Sequence, residues 1–298
     1  MKVLITDGIS PKGQDILKAN GIDFHIEHYE PVELIKVIPE YDAVLVRSAT
    51  KIPKEVIDAG INLKFIARGG TGIDNIDHQY AKSKGITILN TPGANSASVA
   101  ELAFAHLFAL ARFIPQANIT MRKGEWNKKA YKGRELAGKT LGIIGFGVIG
   151  KLTAKIALGL DIKVIATDIA EIKTDLDVTI STIEDVFRNS DFISLHVPKM
   201  SEPLITAKEI EMMKDGVYII NCARGGVIDE KDLLDALNSG KVAGAGLDVF
   251  AEEPPQNMDL VNHPKVSVTP HIGASTIEAQ DRIGIIIAEK LVEAFKNI

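Results

Sequence analysis

The stretch Thr140-Leu141-Gly142-Ile143-Ile144-Gly145-Phe146-Gly147-Val148-Ile149-Gly150, continued to Asp168, decides how this chain is read. The apolar run Leu141–Ile144 predicts a buried strand, Gly145–Gly150 a glycine turn, and Lys151–Leu158 the body of a helix. A second β-rich run, Lys163-Val164-Ile165-Ala166-Thr167, ends on Asp168. Strand, G-x-G-x-x-G turn, helix, strand and acid, in that order, predict a dinucleotide site. Gly145 permits the tight turn, Gly147 lets a pyrophosphate approach the backbone, and Gly150 lets the helix pack on the sheet. The N–H groups at the start of the helix would face the anion. Asp168 stands about 20 residues beyond the glycines, where a carboxylate accepts ribose hydroxyls and repels a 2′-phosphate. The expected cofactor is therefore NAD rather than NADP. An ordinary glycine-rich turn is the alternative reading of the same letters.

Working outward, 298 residues favour two domains, and 46% hydrophobic residues are enough for a substantial core. A net charge of −5 argues against non-specific nucleic-acid binding. The single cysteine, Cys222, excludes an intramolecular disulfide and any multi-cysteine metal site. No cluster has metal-ligand spacing, so no metal is expected. The N-terminal apolar run is too short for a signal peptide, and no uncharged run has the length of a membrane span. These features predict a soluble, cytoplasmic protein without a nucleic-acid or membrane partner.

The same βα rhythm fills both halves of the chain. Lys2–Thr6, Ile22–Ile26, Ala43–Val46, Phe65–Ala67 and Ile86–Asn90 read as strands of a first layer structure. After Thr140 the strands are Val178–Ile180, Phe192–Val197, Tyr218–Asn221, Ala243–Val249 and Val266–Val268, beside the two already named. Apolar strands without two-sided alternation place the chain in the doubly wound, parallel-sheet α/β class. Asn95–Arg112 reads as one helix, apolar on nearly every face and so expected to be buried within a domain or between subunits. Glu125–Leu136 reads as irregular, and Thr276–Phe295 as a long closing helix.

In open parallel sheets, ligands bind at the carboxyl ends of strands. Gly145, Asp168, Arg224 and His271 each follow a strand here, and Arg47 and Arg68–Gly72 hold equivalent places in the first half. If both sheets turn these ends toward each other, the site is a cleft between two domains. Arg224 is a candidate anion anchor, since a guanidinium holds a carboxylate or carbonyl through two parallel hydrogen bonds; capping of strand-end carbonyls is the plainer alternative. His271 is the candidate proton donor for the alkoxide that hydride transfer to a ketone creates. Glu253 could hold that imidazole, although Glu252-Glu253-Pro254-Pro255 reads equally well as a solvated acidic turn. His25, His28, His78 and His263 read as surface residues, His106 as a satisfied core or interface residue, and His196 as a residue bordering the cofactor. Cys222 reads as a small buried residue rather than a nucleophile.

These strand-end motifs together resemble the D-isomer-specific 2-hydroxyacid dehydrogenase family, and within it the D-3-phosphoglycerate dehydrogenases. The likeness runs from about Val3 to about Phe295. It is carried by Val46-Arg47-Ser48-Ala49-Thr50, Gly70–Asp77, Asn90–Gly93, Gly145–Gly150, Asn221–Gly226, Leu247–Pro255 and Thr269–Thr276. The resemblance implies two Rossmann-like domains: residues 1–92 plus 276–298 as a substrate-binding lid, and 93–275 as the NAD domain. It implies a catalytic trio of Arg224, Glu253 and His271. It implies cofactor contacts at Thr71, Gly145, Gly147, Val148, Ile149, Gly150, Asp168, Val197, Cys222, Ala223, Arg224, Asp248, His271, Gly273 and Ala274. Arg47 and Asn95, with Arg224, would face an anionic 2-hydroxy or 2-keto acid, and the NAD domain would form a homodimer.

The activity this implies is NAD-dependent oxidation of 3-phospho-D-glycerate at the start of serine synthesis, with Arg47, Lys51 and Arg134 as candidates for the phosphate. Reduction of glyoxylate or hydroxypyruvate is the alternative within the same chemistry. An NAD-sensing interaction protein, as in one eukaryotic branch, is the alternative outside it. Many phosphoglycerate dehydrogenases carry a C-terminal regulatory domain; with the sequence stopping at Ile298, feedback inhibition by serine is not expected.

Overall fold

The structure, a computed structural model, describes residues 1–297 and divides into two units: Met1–Asn95 together with the segment from Ala274 onward, and Ser96–Gly273. The first unit contains β1 (Lys2–Ile5), β2 (Asp23–Ile26), β3 (Ala43–Val46), β4 (Phe65–Arg68) and β5 (Thr87–Asn90). They form an all-parallel sheet in the order β2-β1-β3-β4-β5. Strand order reverses between β1 and β3, so the loops after these two strands, carrying Asp7 and Arg47, flank the switch point. All four residues of β3 are buried because both sheet faces are covered. Leu34, Ile38, Val56 and Ile57 pack on one face, and Leu17 with Ile287, Ala288 and Leu291 of the closing helix on the other. Two-sided burial is why these strands are apolar throughout rather than alternating. The closing helix, Ile277–Lys296, begins where Thr276 accepts the N–H of Ala279 and presents Ile283, Ile287 and Leu291 inward at helical spacing.

The second unit contains β6 (Thr140–Ile144), β7 (Lys163–Thr167), β8 (Thr179–Ile180), β9 (Phe192–Leu195), β10 (Val217–Asn221), β11 (Val242–Leu247) and β12 (Val266–Val268). Their order is β12-β11-β10-β9-β6-β7-β8, again all parallel. The switch point lies between β6 and β9, directly in front of the glycine turn. One core layer joins Phe187, Ile193, Leu195, Ile219 and Leu233; the other joins Phe104, Leu107, Leu141, Ile143 and Phe192.

Three findings refine the sequence reading. The helix Ser96–Ala111 is not buried all round: Ala97, Glu101, Ala105 and Phe108 form an exposed stripe. A helix at Ile114–Arg122 had no visible core period because none of its residues is buried; Ile114, Ile119 and Met121 lie on the surface. Short helices at His78–Ser83 and Met258–Val261 also escape periodicity, which needs several turns to register. Among the described residues, no single helix is long and apolar enough to cross a membrane.

Leu107 is 2% exposed and central to the second of these layers. Leu107→Ala is expected to lower unfolding free energy by about 2–5 kcal/mol, read from a guanidinium unfolding curve.

Candidate active site

The glycine turn has the form a dinucleotide site requires. Gly145 has φ 92°, in the region that favours glycine, and a Cβ there would strike the carbonyl of His196. Gly150 lies against the carbonyl oxygen of Gly145, where a side chain would also collide. Gly147, by contrast, faces open space, and no side chain caps the helix Val148–Gly159 that follows. Unpaired N–H groups at the start of a 12-residue helix beside a bare backbone form a cradle for a diphosphate. Val148 is exposed and Ile149 half-buried there.

Asp168 follows β7. Its Oδ2 accepts the Phe146 N–H at 2.5 Å and its Oδ1 accepts the Ala170 N–H at 2.9 Å. A carboxylate has about four acceptor positions, so two remain for ribose hydroxyls. The backbone and acid present therefore fit NAD. Val197 packs at the edge of the first core layer. His196, beside the turn, has Nε2 3.0 Å from Ser194 Oγ, and burial pushes its pKa down to about 4, so the ring is neutral near pH 7.

The loop after β10 is shaped by Asn221, which is buried, accepts the Ala223 N–H at 3.0 Å and donates to the Arg224 carbonyl at 2.9 Å. Arg224 Nη1 donates to the Ala223 carbonyl at 2.7 Å. At Gly225 a Cβ would collide with the carbonyl of Phe250, so only glycine lets this loop lie against Phe250-Ala251. Cys222 is buried, and loss of solvent, with Asp248 nearby, pushes its thiol pKa well up. A thiol so disfavoured as thiolate is a poor nucleophile.

Glu253 and His271 meet: Nδ1 of the imidazole lies 2.8 Å from Glu253 Oε2. Glu253 Oε1 also accepts the Phe250 N–H at 3.2 Å. Partial burial pushes the Glu253 carboxyl up, but the His271 bond and charge, the Phe250 N–H and the Arg224 guanidinium together hold it below its usual value of 4.5. Phe250, Pro254, Pro255, Val261, Val268 and Pro270 line an apolar pocket beside the pair, whose own side chains stay partly open to solvent. The acidic loop is therefore not simply a solvated turn.

His271 has φ 53°, unusual for a residue with a side chain. Asp248 supports it: this carboxylate is 1% exposed, accepts from Thr269 Oγ1 at 2.6 Å and from the Ile272 and Gly273 N–H groups at 2.8 and 2.9 Å. The Gly273 carbonyl accepts from Ser98 Oγ at 2.8 Å.

The remaining sequence candidates, Arg134 excepted, belong to the first unit. Thr71 Oγ1 lies 3.0 Å from Asn95 Oδ1, and Asn90 donates to the Thr71 carbonyl. Ala274 accepts from Gln280 Nε2. Arg47 stands at the β1–β3 switch point, where Asp7 Oδ2 accepts its backbone N–H at 2.6 Å and Asn75 donates to its carbonyl at 2.7 Å. Burial lowers the pKa of its guanidinium, partly opposed by Asp7. The anchoring by Asp7 and Asn75 joins positions 28 to 43 residues apart and left no local signal in the sequence. Arg134 is a correction. Its guanidinium sits over the Tyr218 ring and within reach of the Gly216 carbonyl, at the amino end of β10, opposite the carboxyl ends where Arg224 and His271 lie. It does not face this site within the chain.

Among the described residues, no group of His, Cys, Asp and Glu side chains is arranged to hold a metal ion. The arrangement in the second unit instead combines a diphosphate cradle, a guanidinium and a carboxylate-backed imidazole.

The comparisons agree with that chemistry. Residues 104–273 match the description D-isomer specific 2-hydroxyacid dehydrogenase, NAD binding domain. The chain is 50% identical over 296 residues to a hydroxypyruvate reductase of Thermotoga maritima, covering 97% of each sequence. It is 43% identical to a D-3-phosphoglycerate dehydrogenase of Archaeoglobus fulgidus, covering 100% of this chain and 58% of that protein. A solved glyoxylate reductase from Paecilomyes thermophila superposes with a TM-score of 0.91 at 30% identity, covering 99% of this chain and 95% of the other. The chain belongs to the D-isomer-specific 2-hydroxyacid dehydrogenases, a family of NAD-dependent oxidoreductases.

Proposed function

We propose that this enzyme interconverts hydroxypyruvate and D-glycerate, with Arg224, Glu253 and His271 as its reacting centre. The 2.8 Å bond between His271 and Glu253 is the observation that carries the chemistry. Bound NAD supplies the hydride chemistry. Gly145, Gly147 and Gly150, with the N–H groups of Val148 and Ile149, would hold its diphosphate, and Asp168 its ribose. Arg224 binds the substrate carboxylate and polarises the keto oxygen. In the reducing direction His271 delivers a proton to that oxygen; in the oxidising direction it takes the proton from the hydroxyl. Glu253 holds the imidazole through the hydrogen bond at Nδ1 and so fixes the direction of the ring. Arg47 and Asn95 are assigned to substrate, and Thr71, Val197, Cys222, Ala223, Asp248, Gly273 and Ala274 to the surroundings of the cofactor, on the family resemblance.

The choice of hydroxypyruvate rests on the relative 50% identical over nearly the whole of both chains. Oxidation of 3-phospho-D-glycerate is the second reading, favoured by relatives at 42–43% identity, of whose length this chain spans about 57–58%. With Arg134 turned away, the phosphate would fall to Arg47 and Lys51. A homodimer is also proposed, since Phe108, Ile114, Ile119, Met121 and Trp126 leave apolar surface exposed on the second unit. Sedimentation as a monomer would remove that part, and cell fractionation tests the cytoplasmic location proposed with it.

NADH oxidation with hydroxypyruvate, glyoxylate and 3-phosphohydroxypyruvate is expected to give the highest kcat/KM with hydroxypyruvate. A preference for the phosphorylated acid would transfer the assignment to phosphoglycerate. His271→Ala should lower kcat about 100- to 10,000-fold. Because Glu253 has a lowered pKa in the fold, its contribution is present above 4.5 and is lost as pH falls through the lowered value. Glu253→Gln should therefore slow turnover across the neutral range, by up to about 100-fold. Asp168→Ala should raise KM for NAD about 10- to 100-fold through loss of charged hydrogen bonds and narrow the preference over NADP. Faster turnover of the unmodified enzyme with NADP would refute the role given to Asp168.

A further inference from the structure

His106 is an imidazole set in the apolar helix Ser96–Ala111, and it is only 2% exposed. Neither the glycine cradle nor the proton-transfer pair uses it. Its Nδ1 lies 2.9 Å from Ser267 Oγ and its Nε2 3.0 Å from Thr269 Oγ1. The Thr269 hydroxyl donates to Asp248 Oδ1 at 2.6 Å. A hydroxyl has one proton, so Thr269 Oγ1 must accept from His106, and this fixes a proton on Nε2. Burial lowers the His106 pKa, only partly opposed by Asp248, which favours the neutral ring with Nδ1 accepting from Ser267.

The chain of donors therefore has one direction: imidazole N–H to hydroxyl, hydroxyl to carboxylate. At its end Asp248 Oδ1 and Oδ2 hold the N–H groups of Ile272 and Gly273, and the Asp248 carbonyl accepts the N–H of His271 at 2.8 Å. These are the bonds that bracket the left-handed turn at His271. We propose that His106 is a positioning residue for His271: through Thr269 and Asp248 it fixes the 269–273 turn and hence the direction in which the reacting imidazole points. This rests on the reading of His271 as the proton donor. The role differs from filling the core, because leucine would fill the same space while leaving Thr269 without its donor and the turn less constrained.

The test compares His106→Leu, His106→Gln and His271→Ala with the unmodified enzyme. The readouts are kcat and KM for the keto acid, the NADH dissociation constant, and the nitrogen-15 imidazole spectrum, with His271→Ala assigning the His271 signal. His106→Leu should lower kcat roughly 10- to 100-fold, the cost of a misplaced reacting group, and weaken NADH binding far less than it lowers kcat. The His271 Nδ1 signal should shift or broaden in that variant. His106→Gln, whose amide N–H can reach Thr269, should restore most of the rate and the signal. If His106→Leu fails to fold, Thr269→Val breaks the same link and is read by the same measurements. Unmodified turnover and an unmoved His271 signal in the Leu variant would overturn the proposal. So would a Gln variant as slow as Leu, because shape rather than the hydrogen bond would then matter. Unmodified turnover in His271→Ala would instead remove the proton-donor reading, while the spectra would still decide whether His106 orients that ring.

Discussion

The contact between His271 and Glu253 depends on a turn that the backbone would not adopt unaided. A side-chain-bearing residue at φ 53° costs free energy, on the order of 1 kcal/mol. Asp248 offsets that cost by gathering two backbone N–H groups and a hydroxyl onto one buried carboxylate. Burying an acid is itself expensive unless every lone pair finds a donor, and here the donors are the very groups that define the turn. Removal of one donor therefore acts at two places, on the buried charge and on the imidazole.

The sheets explain how residues from distant parts of the sequence reach that turn. In the second unit β10, β11 and β12 are adjacent and parallel, so their carboxyl ends lie side by side. Arg224 follows the first, Asp248 and Glu253 the second, and His271 the third. The glycine turn follows β6, two strands from β10, at the point where strand order reverses. Doubly wound topology thus brings the glycine turn and the carboxylate-backed imidazole to the carboxyl ends of one sheet.

Much of this was legible from local spacing. The glycine turn, its flanking strands and Asp168 fall within 29 residues, Thr140–Asp168, and each glycine position has a local steric reason. Strands buried on both faces were legible because their apolar runs are unbroken. Contacts across the chain were not. The letters left Glu253 poised between partner and solvated loop, since His271 is 18 positions away and only the β11–β12 pairing brings them together. His106 read as a core residue because its partners Ser267 and Thr269 lie 161 and 163 positions away. Arg134 read as a phosphate ligand from its charge, whereas its place at the amino end of β10 depends on where the irregular 125–136 segment runs. The surface helix Ile114–Arg122 was missed because its exposed apolar residues make no inward stripe.

If imidazole and carboxylate act as one unit, their effects on turnover are coupled. A double-mutant cycle on turnover, with His271→Ala, Glu253→Gln and the combined variant, tests that coupling most directly. Once His271 is gone, loss of Glu253 should add almost nothing, because the carboxylate acts only through the ring. Two losses that multiply as independent effects would contradict the coupling.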